Sequence, residues 1–118
     1  MTSLTVLIVE DEPLIGAAME MLVEDLGGAV VGPFMTVSAG LSGLEKAGQI
    51  DCALLDCNLG RETSSPIADA LAARGVPFAF TSGKGIQDIE PRFRDRPVFA
   101  KPVDEAKLKR FLQGHARP

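Results

Sequence analysis

Polar side chains with complementary chemistry follow four of the short apolar segments in this chain. Glu10 and Asp11 follow the first segment, Asp56 follows a later one, and Ser82 and Lys101 follow the last two. Three carboxylates at one place raise one another's pKa values unless a cation neutralises them. Oxygen ligands with few carboxylates suit Mg2+, which keeps several waters and shares its coordination shell with phosphate oxygens. The sequence therefore predicts a magnesium site beside Lys101.

Asp56 could serve both as a ligand of that metal and as a nucleophile. A carboxylate that attacks phosphorus forms an acyl phosphate, provided that the charge spreading over the equatorial oxygens is neutralised. Mg2+ and Lys101 would supply that positive charge, and the Ser82 hydroxyl would donate a hydrogen bond to the remaining oxygen. We therefore expect Asp56 to accept a phosphoryl group.

Five apolar or β-branched segments predict the strands that would position these side chains. They are residues 4–9, 29–33, 52–55, 77–81 and 97–100, each bounded by glycine, proline or acidic residues. Helical patterns separate them, at 13–26, 37–47, 66–74, 86–93 and 104–112. Pro13 suits the first turn of the first helix, Pro91 interrupts the fourth, and Asp104 would cap the last.

Strands that lack an alternating polar face and are separated by helices indicate a parallel sheet covered on both sides. We therefore expect an α/β fold with a doubly wound, five-stranded parallel sheet in the flavodoxin-like order 2-1-3-4-5. Ligands of such sheets bind beyond the carboxyl ends of the strands, where the polar residues lie.

Composition limits the classes of protein to consider. The 118 residues are 46% hydrophobic and 24% charged, so residues 1–118 are interpreted as one domain, with the tail at 115–118 expected to fray. A net charge of −4, with no basic cluster larger than Lys107, Lys109 and Arg110, argues against nucleic-acid binding. The apolar run at 6–9 is too short for a membrane span or a signal peptide, so a cytoplasmic protein without membrane association is expected.

The two cysteines, Cys52 and Cys57, are assigned to a single strand. Residues an odd number apart in a strand point to opposite faces, so these thiols cannot be bridged. We interpret them as reduced core thiols, and two cysteines are too few for a structural zinc site.

These residues resemble the receiver domains of two-component response regulators, over the whole chain. The matching segments are "VLIVEDEPLI", "ALLDCNLG", "VPFAFTSGKG" and "AKPV". The resemblance implies that Glu10 and Asp11 are the acidic pair, with Asp11 the more direct metal ligand, and that Asp56 is the phosphoacceptor. It also implies that Asn58 offers its backbone carbonyl to the metal. The bond between Lys101 and the following proline is expected to be cis, which would aim the lysine at the phosphate.

The resemblance leaves two hydroxyls for the switch position. Counting from Pro77, where the family's fourth strand starts, favours Ser82 over Thr81. The segment "VPFAFTSGKG" also resembles the corresponding segment of a stand-alone receiver subfamily, whose fourth strand runs Pro-Phe-x-Phe-Ala-Thr-Gly-Tyr. Here Thr81, Ser82 and Lys84 replace its Ala, Thr and Tyr.

Ordinary receivers carry an aromatic residue at the position of Val98, and that aromatic swings inward on phosphorylation. Valine cannot do so, so we expect the signal to run through the segment 82–94. Gly83 and Gly85 would let that segment move.

The resemblance implies a single-domain response regulator without an output domain. A histidine kinase or histidine phosphotransfer protein would phosphorylate Asp56 with Mg2+, and a downstream protein partner would bind the changed surface or take the phosphate. The only histidine, His115, is placed in the tail, so the donor must be another protein. Phosphorylation and hydrolysis of Asp56 itself are expected, but no turnover of a separate substrate.

Two alternatives stay open at this point. A haloacid-dehalogenase-type phosphohydrolase also uses an aspartyl nucleophile and a lysine, but it needs a second aspartate where Asn58 stands. A phosphorylation-independent receiver-like interaction module would explain Val98. Glu62, in the loop after Asp56, is interpreted as a solvated side chain.

Overall fold

The apolar segments form the strands of a parallel sheet in the computed structural model, which describes residues 3–118. In chain order the strands are β1 (Thr5–Val9), β2 (Ala29–Phe34), β3 (Cys52–Asp56), β4 (Asn58–Leu59), β5 (Glu62–Thr63), β6 (Phe78–Ser82) and β7 (Val98–Ala100). The sheet order is β2-β1-β3-β6-β7, and all four pairings are parallel. This confirms the predicted fold class and the order 2-1-3-4-5 of the five main strands.

A second, two-stranded sheet was not predicted. The strands β4 and β5 pair antiparallel, with Asn58 opposite Thr63 and Leu59 opposite Glu62. Gly60 turns the chain between them with a φ of 67°, a conformation that favours glycine. We call residues 58–63 the ribbon.

Within residues 3–118, four α-helices cover the two faces of the sheet. They are α1 (Pro13–Asp25), α2 (Val37–Lys46), α3 (Ser65–Ala73) and α4 (Glu105–Gly114). Asp104 caps α4, because its carboxylate accepts hydrogen bonds from the backbone N–H groups of Ala106 and Lys107. Each of these helices was predicted within two residues of its observed ends.

The predicted helix over 86–93 is wrong. The chain instead forms two short 3-10 turns, Gly85–Asp88 and Pro91–Phe93. Pro91 has no N–H for an α-helical bond and pushes the residue before it out of the helical region. Glu90 accordingly has a ψ of 138°.

Side chains of each strand alternate between two apolar clusters, one on each face of the sheet. Leu7, Leu55 and Phe80 belong to the cluster under α2 and α3, while Ile8 and Leu54 belong to the cluster under α1 and α4. Strand β3 is buried along its whole length, as expected for the central strand of a sheet covered on both faces.

The two cysteines behave as predicted. Both are buried and unbridged, and Cys52 and Cys57 lie in opposite clusters, although Cys57 stands one residue beyond the end of β3. Burial raises the pKa of Cys52 to about 12, and the charge of Asp51 adds to this effect. Burial also raises the pKa of Cys57. Both thiols therefore stay protonated, the form that reacts poorly.

The C-terminal residues do not fray, which corrects that expectation. Arg117 and Ser3 exchange two backbone hydrogen bonds of 2.7 and 2.8 Å. The Arg117 side chain donates to the buried Asp51 carboxylate at 2.6 Å, and His115 packs edge-on against Phe111. Within residues 3–118, no helix has the length and apolar character needed to cross a bilayer.

Replacing Asp51 should destabilise the fold. Its second carboxylate oxygen accepts the backbone N–H of Thr5 at 2.7 Å, at the start of β1. Asp51→Ala leaves this donor without its partner, and we expect the free energy of unfolding to fall by about 1–3 kcal/mol in urea titrations. Asp51→Asn keeps an oxygen acceptor and should lose less. Equal losses in both variants would contradict the role given to the Thr5 bond.

Candidate functional site

Four strand ends bring charged and hydroxyl side chains to one edge of the sheet. Asp56 and Ser82 are the last residues of β3 and β6, while Glu10 and Lys101 follow β1 and β7 directly. Parallel strands end at the same edge, so residues far apart in sequence meet there. Glu10 is 1% exposed and Asp56 is 5% exposed, which places both carboxylates below the surface.

Lys101 lies between the two buried carboxylates. Its ammonium donates to Asp56 Oδ2 at 3.0 Å and stands 3.2 Å from Glu10 Oε1. The backbone holds it in place, because the N–H of Lys101 donates to the carbonyl of Ser82 at 2.9 Å. The Lys101–Pro102 peptide bond is cis, which confirms that prediction.

Asp11 completes a group of three carboxylates. Glu10, Asp11 and Asp56 can each offer one oxygen within 4.8 Å of the others. Asp11 Oδ2 also accepts the backbone N–H of Gly60 at 3.1 Å, so the ribbon fixes the most exposed of the three. Residue spacing does not report this contact, because it joins two loops that are 49 residues apart.

Asn58 stands in β4, two residues beyond the phosphoacceptor candidate. Its backbone N–H donates to Asp56 Oδ1 at 3.3 Å, so the start of the ribbon also orients the Asp56 carboxylate. Its side chain is exposed. Glu62 lies in β5 with an exposed side chain, as predicted for a solvated residue.

The crowded carboxylates shift the titration of their neighbours. The pKa of Glu10 is raised to about 7, first by burial and then by the hydrogen bond and negative charge of Asp56, which together outweigh the lowering by the Glu12 backbone N–H and by Lys101. For Lys101, burial lowers the pKa, but the hydrogen bond and charge of Asp56 outweigh it and leave the pKa raised. Glu10 Oε1 is buried and makes no well-aligned hydrogen bond within residues 3–118.

These observations fit a divalent cation. Three carboxylates face one ammonium, and a buried Glu10 oxygen has no well-directed donor. A hard cation prefers such oxygen ligands and would remove the repulsion that raises the pKa of Glu10.

The two candidate hydroxyls lie in different surroundings. Ser82 Oγ lies 2.8 Å from Asp88 Oδ2 and 3.0 Å from the carbonyl oxygen of Gly85. Both of these acceptors belong to the loop that follows β6. Thr81 pairs with Asp56 across the two strands, and its buried hydroxyl has no hydrogen-bond partner in the described part of the chain. Within residues 3–118, the hydrogen bonds of the Ser82 hydroxyl therefore go to residues 84–88 and not to Glu10, Asp11 or Asp56.

Val98 fills the position that could have held an aromatic side chain. It pairs with Phe80 and packs against the cluster under α2 and α3. Phe78, Phe80 and Phe93 pack edge-on or tilted within that cluster, with ring centroids 5.5 to 5.9 Å apart.

Among the comparisons with known proteins, only the one with solved structures found matches. No protein-family model matches the chain, and no curated protein matches it. SdrG from Sphingomonas melonis Fr1 is 45% identical, with a TM-score of 0.82 and 93% of each chain covered. The BeF3-activated conformation of SdrG, from Pseudomonas melonis Fr1, has the same identity, a TM-score of 0.77, and coverage of 96% of this chain and 97% of that one.

Two further structures are similar over nearly their whole length. The signal receiver domain of a modulated diguanylate cyclase from Desulfovibrio desulfuricans G20 is 30% identical, with a TM-score of 0.77 and coverage of 94% of this chain and 91% of that one. A CheY-like response regulator receiver domain from Methylobacillus flagellatus is 25% identical, with a TM-score of 0.80 and coverage of 94% and 97%.

Glu10→Gln should stabilise the metal-free protein at alkaline pH. The pKa of Glu10 is about 7 in the folded state, against an ordinary value of 4.5 for a glutamate side chain. Protonated Glu10 therefore adds to the stability of the folded state. This stabilisation is complete below a pH of 4.5 and is lost as the pH rises through about 7. At about pH 8 we therefore expect the free energy of unfolding of Glu10→Gln to exceed that of the natural chain by about 1–3 kcal/mol.

The comparison needs a second pH and a matched variant. At about pH 4.5 the difference should nearly disappear, because Glu10 then carries its proton in the folded state. Glu12→Gln alters an exposed carboxylate two residues away and should show no such pH dependence. A pH-independent effect of Glu10→Gln in urea titrations would refute the shift.

Proposed function

Because the chain belongs to the response regulator receiver family, we propose that Asp56 accepts a phosphoryl group from a histidine kinase or a histidine phosphotransfer protein. The observation that carries this proposal is the Asp56 carboxylate, held at the sheet edge 3.0 Å from the Lys101 ammonium and beside two further carboxylates. We further propose a stand-alone cytoplasmic receiver of the type with the Pro-Phe-x-Phe-Ala-Thr-Gly-Tyr strand.

The transfer forms one bond and breaks another. An oxygen of Asp56 attacks the phosphorus of a phosphohistidine, the O–P bond forms, and the P–N bond breaks with its electron pair leaving on the imidazole. Asn58 N–H and Lys101 hold the two carboxylate oxygens, which orients the nucleophile before the attack. Lys101 also lies close enough to balance negative charge that collects on the phosphoryl oxygens.

Glu10, Asp11 and Asp56 would hold Mg2+, with the carbonyl of Asn58 as a further ligand. When bound, the ion supplies positive charge to the phosphoryl oxygens in the transition state. The ribbon contributes by fixing Asp11 through the Gly60 N–H, so that this carboxylate is in position before the ion arrives. Phosphorylation and later hydrolysis would take place on Asp56 itself, without turnover of a separate substrate.

A changed loop surface would carry the signal to a protein partner, or the phosphate would pass to another phosphotransfer protein. Val98 is not aromatic, so the readout is assigned to residues 82–94. The Ser82 hydroxyl at the start of this segment is the donor proposed for a phosphoryl oxygen.

A phosphorylation-independent interaction module is the second candidate. The observation that favours it is the Ser82 hydroxyl, which is hydrogen-bonded to Asp88 instead of facing the Asp56 carboxylate. In such a module the loop would stay fixed whatever the chemistry at Asp56.

Incubation with a small phosphodonor such as acetyl phosphate and Mg2+ tests the first proposal. We expect the intact mass to rise by one phosphoryl group, and the rise to be absent when Mg2+ is chelated. Asp56→Asn removes the nucleophile and should abolish the gain, at least a hundredfold in rate, because an amide is a far weaker nucleophile.

Asp25→Asn is the matched control, since Asp25 is an exposed carboxylate at the end of α1. It should gain mass as the natural chain does. Equal gains in Asp56→Asn would place the phosphoryl group elsewhere, and no gain in any protein would favour the phosphorylation-independent module.

A further inference from the structure

The Ser82 hydroxyl is fully hydrogen-bonded within the loop that follows it. Its oxygen lies 2.8 Å from Asp88 Oδ2 and 3.0 Å from the Gly85 carbonyl, and it accepts the N–H of Lys84 at 3.1 Å. A hydroxyl has a single proton to donate. That proton is shared between two acceptors of the loop, so none is left for a phosphoryl oxygen.

Asp88 is the stronger of the two acceptors. Hydrogen bonds to an ionised carboxylate are about twice as strong as those between neutral groups. Asp88 is half-buried at the end of the turn Gly85–Asp88, and its Oδ2 also lies 3.9 Å from the Cys57 sulfur. Cys57 follows Asp56 at the end of β3, and Ser82 is the last residue of β6, so the Asp88 carboxylate contacts the ends of both strands.

We propose that Asp88 is a positioning residue that withholds the Ser82 hydroxyl until Asp56 is phosphorylated. The phosphoryl oxygen and the Asp88 carboxylate compete for one proton, so the two arrangements exclude each other. The proposal rests on the proposed function, because only a loaded Asp56 presents the competing acceptor. Asp88 is then the group that holds the inactive arrangement of the loop.

Contacts farther along the loop define which residues would move. Arg92 donates to the Asp69 carboxylate of α3 and to Glu90, and Phe93 packs edge-on against Phe78. These contacts do not involve Ser82 and would persist after its release. The change should therefore be confined to residues 83–88, which include Ile86, a large apolar side chain that is 49% exposed.

Beryllofluoride with Mg2+, a mimic of the phosphoryl group, measures the competition directly. In Asp88→Ala the Ser82 proton no longer has its charged acceptor, and we expect the apparent Kd for beryllofluoride to fall about three- to tenfold. Asp95→Ala removes an exposed carboxylate near the same loop and should leave the Kd unchanged. Asp88→Asn keeps an oxygen acceptor without the charge and should lie between these values.

Two further measurements separate a positioning role from a structural one. In a Ser82→Ala background, Asp88→Ala should no longer change the Kd, because the proton under competition is gone. In the unloaded Asp88→Ala protein, the amide resonances of residues 82–86 should move toward their positions in the loaded natural chain. Those of Arg92 and Phe93 should stay in place.

The outcomes distinguish this inference from the function on which it rests. Equal Kd values for the natural chain and Asp88→Ala would overturn the inference alone, as would an effect that persists without the Ser82 hydroxyl. Beryllofluoride binding by neither protein, with both folded in urea titrations, would overturn the proposed function and the inference with it.

Discussion

The ion pair between the Lys101 ammonium and the Asp56 carboxylate is the interaction on which the sheet edge depends. Buried carboxylates are costly unless they are paired, and here Glu10 and Asp56 are both buried. Burial and the neighbouring Asp56 raise the pKa of Glu10, while the pKa of Lys101 is raised because Asp56 and Glu10 outweigh the effect of its burial. Because Glu10, Asp56 and Lys101 lie at the ends of β1, β3 and β7, the site forms only when these strands have assembled into the sheet.

The sequence predicted the parts of the structure that depend on hydrophobic pattern. The apolar runs located the five strands, and their parallel arrangement brought Glu10, Asp56 and Lys101 to one edge without knowledge of any contact. Helix ends were predicted where a local cap such as Asp104 marks them. These features are decided by neighbouring residues and by the burial of one face, both of which can be read from spacing.

Other features depend on a few hydrogen bonds between distant loops, and spacing does not report these. The ribbon that orients Asp11 through Gly60, the turn that places Asp88 on Ser82, and the docking of Arg117 on Asp51 are of this kind. The helix predicted within 86–93 is absent there, because Pro91 prevents the backbone bonds of an α-helix and two 3-10 turns form instead. The rigid edge was therefore more predictable than the movable loop beside it.

The raised pKa of Glu10 would make the proposed cation binding an exchange of the cation for a proton. Up to a pH of about 7 this carboxylate keeps a proton, and a cation that takes the carboxylate must release that proton to the solvent. The heat measured for such binding then includes the ionisation enthalpy of the buffer and differs between buffers at the same pH. Part of the enthalpy assigned to the metal would belong to a proton that leaves the protein.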